Sequence, residues 1–99
     1  ITKKNNVEIK EGMILSNEPG FYLEKEFGIR IENLVYIKKI SNKLHFENLT
    51  LAPIDNDLIN YKMLDKFERD YLFKYHLKVY TSIANYLNAK EKKWLINLL

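Results

Sequence analysis

An α+β chain is predicted by three observations. Up to Leu51 the apolar residues fall in short β-branched runs separated by turn residues. From Pro53 onward they recur at the 3–4 spacing of a helix. The longest unbroken apolar runs are only a few residues, against the ~20 that a membrane-spanning helix needs. The expected organisation is a strand-rich segment over residues 1–52, with antiparallel pairing, followed by a helical segment over residues 53–99.

The first expected strand is Met13-Ile14-Leu15-Ser16-Asn17-Glu18. It follows Gly12 and stops at the breaker pair Pro19-Gly20. A charged turn then runs from Leu23 through Glu24-Lys25-Glu26 to Gly28. The second strand is expected over residues 29–38, with Ile29, Ile31, Val35 and Ile37 on one face and Arg30, Glu32, Leu34 and Tyr36 on the other. Asn42 turns the chain into a short third strand, Leu44-His45-Phe46-Glu47. Strands joined by a short polar turn pair most simply antiparallel.

Pro53 suits the first turn of a helix. Asp65 and Glu68 have the spacing of a capping box, and Asn88 with Glu91 repeats it. Between them Leu72, Tyr75, Val79, Ile83 and Tyr86 form an apolar stripe about twenty residues long. The last helix places Trp94, Leu95, Leu98 and Leu99 on one side, so two helices are expected to pack face to face.

Composition removes several classes of function. Cysteine is absent, which excludes disulfides, thiolate metal sites and a cysteine nucleophile. Sixteen basic and thirteen acidic residues give a net charge of +3, only two of the cations are Arg, and neither half is a basic patch. A nucleic-acid interface is therefore not expected. Neither a phosphate loop nor a nucleotide fingerprint occurs. The chain opens on Ile1 and shows no signal-peptide core, and a cytoplasmic, reducing setting without membrane attachment is the expectation.

The residues that can carry chemistry are the polar ones in apolar strands. Glu32 lies mid-strand with Arg30 two residues earlier on the same face, and Glu18 ends the preceding strand. If these strands pair about the Glu24–Glu26 turn, the two carboxylates become neighbours. Two anions about 5 Å apart repel by roughly 3 kcal/mol at an effective dielectric of 20. Such a pair needs a shared proton, a cation or a metal. The alternative at this point is that Arg30 pairs with Glu32 on a solvated strand face while Glu18 is a turn residue.

The strings Gly12-Met13-Ile14-Leu15-Ser16-Asn17-Glu18-Pro19-Gly20-Phe21-Tyr22 and Phe27-Gly28-Ile29-Arg30-Ile31-Glu32-Asn33-Leu34 bear on that choice. They resemble the C-terminal part of the pita-bread metallopeptidases. Phe46-Glu47-Asn48-Leu49-Thr50-Leu51-Ala52-Pro53-Ile54-Asp55, then Tyr75-His76 and Trp94-Leu95, are similar to the Xaa-Pro aminopeptidase (aminopeptidase P) branch. The likeness runs from about Val7 to Leu98. Prolidases and methionine aminopeptidases share the first motifs but usually not this tail.

The resemblance implies that Glu18 is a terminal ligand to one of two divalent metals, with a proton-shuttling role. It implies that Glu32 bridges the two metals. Arg30 would sit behind the ligands, orienting the carboxylates and offsetting their charge. The metals would most commonly be manganese, with zinc or cobalt as alternatives, and would activate the water that attacks the carbonyl before proline. Oxygen-rich coordination suits manganese. The substrates implied are peptides with proline at the second position, and the parent protein would be a homodimer.

The departure from the family pattern is large. Its complete site also needs two Asp ligands, a His ligand and a substrate-binding His, all upstream of these motifs. Nothing before Glu18 is Asp or His. The chain is therefore expected to be a C-terminal fragment, inactive alone, with a weak metal site and an unpaired edge on its first strand. The alternative is a non-catalytic pita-bread interaction module, although a binding module has no need of two repelling carboxylates.

The remaining candidates read as structural. His45 is expected to be an edge or surface histidine and His76 a packed one. Asp55 and Asp57 suit a helix start. Tyr71, Tyr75 and Tyr86 suit a core or a dimer surface, within a segment from Phe67 to Leu87 that is expected to contribute to subunit association. Lys90, Lys92 and Lys93 suit a solvated face.

Overall fold

Residues 6–99 are described in the computed structural model, and they divide after Thr50 into two units. The first five residues of the expected strand-rich segment lie outside the described residues.

The first unit is built on one long hairpin. Strand β1 (Ile14–Asn17) pairs antiparallel with β4 (Asn33–Ile40), Ile14 lying opposite Tyr36 and Asn17 opposite Asn33. Strand β2 (Gly20–Leu23) pairs antiparallel with β3 (Phe27–Arg30), Gly20 opposite Arg30 and Leu23 opposite Phe27. The two ladders share one register. Stepping from Asn17/Asn33 through Glu18/Glu32 and Pro19/Ile31 reaches Gly20/Arg30 with no inserted residue. The Ile31 N–H donates to the Pro19 carbonyl at 3.1 Å across the gap.

This differs from the sequence expectation in two places. The strand expected over residues 29–38 is broken at Ile31-Glu32, where β3 ends and β4 begins. Opposite the break stands Pro19, which has no N–H to give to a ladder. Gly20–Leu23, expected to lead directly into a charged turn, is itself a strand. Pro19-Gly20 thus interrupts the hairpin without ending it. Lys25 takes a left-handed conformation, φ 62°, in the turn that joins β2 to β3.

Strand β5 (Lys43–Asn48) covers the expected third strand and pairs antiparallel with β4. The link is the two-residue turn Ser41-Asn42, with φ of 47° and 65°. Positive φ at both central residues matches the twist of a tight hairpin, and Asn is among the residues that tolerate it best. Sheet order is β1-β4-β5, so β1 is an edge among the described residues. Val35 and Ile37 are the buried side chains of β4. They alternate with Leu34 and Tyr36, which share the face of Glu32.

In the second unit the helical state begins later than Pro53. Asp55 caps a single 3-10 turn, Asn56–Leu58, by accepting from the Asp57 N–H at 3.0 Å. The Asx-type bond places the cap two residues beyond the proline and the first helical residue three beyond it. Helix α1 (Lys66–Ile83) opens with the expected capping box, Asp65 with Glu68, both bonds at 2.8 Å. Leu72, Tyr75 and Val79 are its buried apolar side chains. The stripe stops short of Tyr86, which is 87% exposed, because α1 ends at Ile83 and a 3-10 turn, Ala84–Tyr86, buries Ala84 instead.

Helix α2 (Ala89–Leu98) starts with the second capping box, Asn88 with Glu91. Its expected apolar side is corrected: Leu95 is buried, whereas Trp94 is 63% exposed. Trp94 and Leu98 are one helical turn apart and both exposed, about 100° and 60° around the axis from Leu95 on the same side.

His76 is buried in this unit, as a packed histidine should be. Its Nε2 accepts from the Ile54 N–H at 3.2 Å, so the ring proton is on Nδ1 and donates to the Leu99 carbonyl at 3.0 Å. The Tyr75 hydroxyl donates to the Ala52 carbonyl at 2.7 Å. These polar tips tie the loop before α1 to the helix that forms the core of the unit.

Candidate metal centre

The shared register explains how Glu18 and Glu32 meet. They are flanking positions of one antiparallel ladder, directly across from each other when the β1–β4 pairing is carried one residue past Asn17 and Asn33. Residues directly across a ladder point to the same face. Ser16, Glu18, Gly20 and Tyr22 therefore share a face with Gly28, Arg30, Glu32 and Leu34, opposite to that of Val35 and Ile37.

Arg30 reaches both carboxylates. Its Nη1 lies 3.7 Å from Glu18 Oε2, and its Nε lies 3.3 Å from Glu32 Oε2. The other Glu18 oxygen, Oε1, accepts from the Ser16 hydroxyl at 2.7 Å. The Arg30 pKa is raised above its ordinary value, first by the neighbouring Tyr22 side chain, then by Glu32 and Glu18.

The side chains of this cluster are about half exposed, 50% for Arg30 and 42% for each carboxylate. Ion pairs on so wet a surface add little to stability. Bringing two carboxylates together costs a comparable amount or more. The cluster is thus a poor device for stability, and its residue types need another explanation.

Chemically, the pair offers hard carboxylate oxygens on one face, a donor set that suits a divalent cation such as manganese or magnesium. Among the described residues no group of three or more His, Cys, Asp or Glu side chains assembles into a cation site. The residues present fit a contribution to a metal centre, two ligands with their orienting cation, rather than a complete one.

The other candidates lie elsewhere. His45 is exposed on β5, opposite Lys38. Asp55 and Asp57 are occupied in the 3-10 cap. Tyr71 and Tyr75 stack at 6.5 Å, but Tyr75 is buried in the core. A cavity of ≈ 330 Å³ in the second unit is bordered by Arg69, Leu72, His76 and Leu99 and by none of the three candidate site residues.

Two residues of the cluster escape a strand-by-strand reading. Ser16 and Tyr22 lie two residues before and four after Glu18, so an even spacing marks them as sharing its face. The break at Pro19 hides that parity unless the ladder is known to continue past it.

Comparison with known proteins gives a consistent answer. The family model described as the C-terminal region of peptidase M24 matches residues 42–98, and that of metallopeptidase family M24 matches residues 1–39. A putative Xaa-Pro aminopeptidase of Saccharomyces cerevisiae is 41% identical over 95 residues, covering 91% of this chain and 13% of its own length. A probable Xaa-Pro aminopeptidase P of Laccaria bicolor is 34% identical over 101 residues, covering 92% of this chain and 16% of its own. The crystal structure of X-prolyl aminopeptidase from Caenorhabditis elegans superposes with a TM-score of 0.81 at 30% identity, over 97% of this chain and 17% of that one. The chain thus spans about a sixth of the length of these relatives. With one family model alone covering more than half of its residues, the chain belongs to metallopeptidase family M24 and corresponds to the C-terminal region of the aminopeptidase P type.

Proposed function

We propose that this chain is the C-terminal part of a metal-dependent Xaa-Pro aminopeptidase, to whose dinuclear centre it contributes Glu18 and Glu32. The observation that carries the reading is the placement of both carboxylates opposite each other on one ladder face, with Arg30 in contact with both. The relatives named as Xaa-Pro aminopeptidases support the activity, and the C. elegans enzyme is described as cytosolic with a di-nuclear active site. The substrates are peptides with proline at the second position, and the setting is cytoplasmic.

When bound, two divalent cations, manganese foremost, supply Lewis-acid polarisation of the scissile carbonyl and an acidified water. The residues of this chain do the rest locally. Glu32, with its two carboxylate oxygens, would help to hold the cations, while Arg30 fixes its orientation from the Nε side. Glu18 would hold one cation. Its Oε1, already a hydrogen-bond acceptor from Ser16, is the atom suited to take a proton and pass it on. Arg30 balances the excess negative charge of the ligand pair and keeps each carboxylate aimed.

The remaining ligands are supplied by residues upstream of this sequence, so the 99-residue chain alone is inactive and binds Mn²⁺ only on the order of millimolar or more weakly. The parent enzyme is a homodimer. The side chains available to an interface on α1 are the exposed Phe67, Tyr71 and Phe73 rather than the buried stripe.

The test is a peptidase assay of the full-length protein on an Xaa-Pro peptide, beside Glu32→Ala and with the bound metal counted. Loss of turnover together with loss of metal is expected. Full turnover in Glu32→Ala, or micromolar Mn²⁺ binding with turnover by the 99-residue chain, would overturn the reading.

A further inference from the structure

The second unit holds a cavity of ≈ 330 Å³ for which the metal centre has no use. Arg69, Leu72, His76 and Tyr80 border it at the 3–4 spacing of one face of α1. Phe73 and Leu77 border it too, 68% and 50% exposed, so apolar surface there is left to water. The polar groups around it are unevenly engaged. His76 uses both ring nitrogens, accepting from the Ile54 N–H and donating to the Leu99 carbonyl. The Tyr61 hydroxyl, also at the border, donates to Asn56 Oδ1 at 2.5 Å. Arg69, by contrast, makes no ion pair among the described residues. Asp65, four residues earlier, has the spacing to pair with it. The capping box takes that acid instead: Asp65 accepts from the Glu68 N–H, and the Glu68 carboxylate reaches back to the Asp65 N–H. Asp70, next in sequence, lies about 100° around the helix.

We propose that this cavity binds a small organic anion with an apolar body, a carboxylate on a chain of about eight carbons, its charged end on Arg69. Charge decides the sign of the ligand. The one ionised side chain at the border is a guanidinium, whose planar fork matches a carboxylate, and no Asp or Glu side chain borders the cavity. An ammonium ligand would meet like charge and find no counter-ion. An exposed ion pair alone holds little, so the affinity must come largely from the body, laid over Leu72, Phe73 and Leu77. Size decides the class. The volume is at the low end of small-molecule sites, whereas a protein partner needs about 800 Å² of surface on each side. From Arg69 to Tyr80 the helix rises about 16 Å, room for an extended eight-carbon chain. None of Glu18, Arg30 and Glu32 takes part, so the site stands independently of the metal reading.

The test is a calorimetric titration of the full-length protein with octanoate, in metal-free form so that the carboxylate has no metal to bind. Octanoate should bind saturably with a Kd on the order of 0.1–1 mM, in keeping with a ligand of about ten non-hydrogen atoms. Octan-1-ol and octylammonium carry the same body without the anion and should bind at least about tenfold more weakly. Arg69→Gln should weaken octanoate roughly tenfold and leave octan-1-ol unchanged. Leu77→Trp, which fills the cavity, should abolish binding of both. Arg69 and Leu77 are exposed on α1, so each variant should keep the wild-type circular dichroism. Wild-type octanoate affinity in Arg69→Gln, or equal affinity of the wild type for octan-1-ol and octanoate, would overturn the proposal. So would the absence of saturable octanoate binding, the result expected if another part of the full-length chain or a second copy covers the cavity. Should Leu77→Trp not fold, the Arg69→Gln titration decides alone.

Discussion

At the scale of single residues, Arg30 is the most informative group in the chain. It is one of only two arginines among sixteen cations, and a lysine could not do the same work. Lysine offers one point charge, whereas the guanidinium presents donors along two directions and so serves Glu32 through Nε and Glu18 through Nη1. Arg30→Lys in the full-length protein should therefore lower kcat/KM about 10- to 100-fold, measured on an Xaa-Pro peptide at saturating metal. The charge itself brings no pH dependence in the working range. Because the Arg30 pKa is raised, whatever its charge contributes is present at every lower pH and lost only as pH climbs through the guanidinium range. A pH–rate profile of the enzyme should thus show no limb from Arg30 at neutral pH. Glu18, Arg30 and Glu32 could be singled out from the sequence because charged residues stood inside apolar runs. Tyr22 could not, since an aromatic residue beside Phe21 reads as ordinary apolar material until the ladder shows which face it takes.

Among the elements, local chemistry was legible where a short-range signal is decisive. Both capping boxes formed as expected, since each needs only the identities of two residues three apart and an extended cap residue. Asp65→Ala removes the acceptor for the Glu68 N–H and should cost about 1 kcal/mol of stability, read as a lower denaturation midpoint. Tyr75→Phe leaves the buried Ala52 carbonyl without its donor and should cost about 1–2 kcal/mol by the same measurement. The misread elements were those whose apolar pattern fits more than one geometry. Residues 29–38 alternate apart from Asn33, yet the strand breaks at Ile31-Glu32 because its partner carries Pro19 there. Trp94 joins Leu95 in any reading by composition, but adjacent residues on a helix lie about 100° apart and only Leu95 is buried. The turn Ser41-Asn42 is intermediate: Asn marks it, while the positive φ at Ser41 follows from the tight closure of β4 onto β5.

For the molecule as a whole, the two units differ in how much they bury. In the first, every residue of β1, β2 and β3 is exposed, and Phe21, Phe27, Ile29 and Ile31 are each at least half exposed. Phe21 and Phe27 touch, with ring centroids 6.4 Å apart. Apolar surface in this amount on a hairpin favours association. Together with the edge at β1, it predicts that the 99-residue chain on its own self-associates, which sedimentation velocity over a range of concentrations would reveal as a rising mean mass. A constant monomer mass at high concentration would contradict this. In the second unit, by contrast, Leu72, Tyr75, Val79, Ala84 and Leu95 are buried, with His76 satisfied at both ring nitrogens. Among the described residues no helix is long and apolar enough to cross a membrane.

What the sequence alone determined was chemical and local. It gave the α+β class, the capping boxes that start the two α-helices, and two glutamates with an arginine in motifs that point to family M24. These depend on residue identity at short spacing, which folding does not alter. Only the tertiary structure decided that β1 pairs with β4 while β2 pairs with β3 in a single register, so that Glu18 faces Glu32 across a proline break. Register is a relation between distant segments. It is set by which backbone groups can complete a ladder together, and Pro19, with no N–H, moves the break to the place where the carboxylates meet.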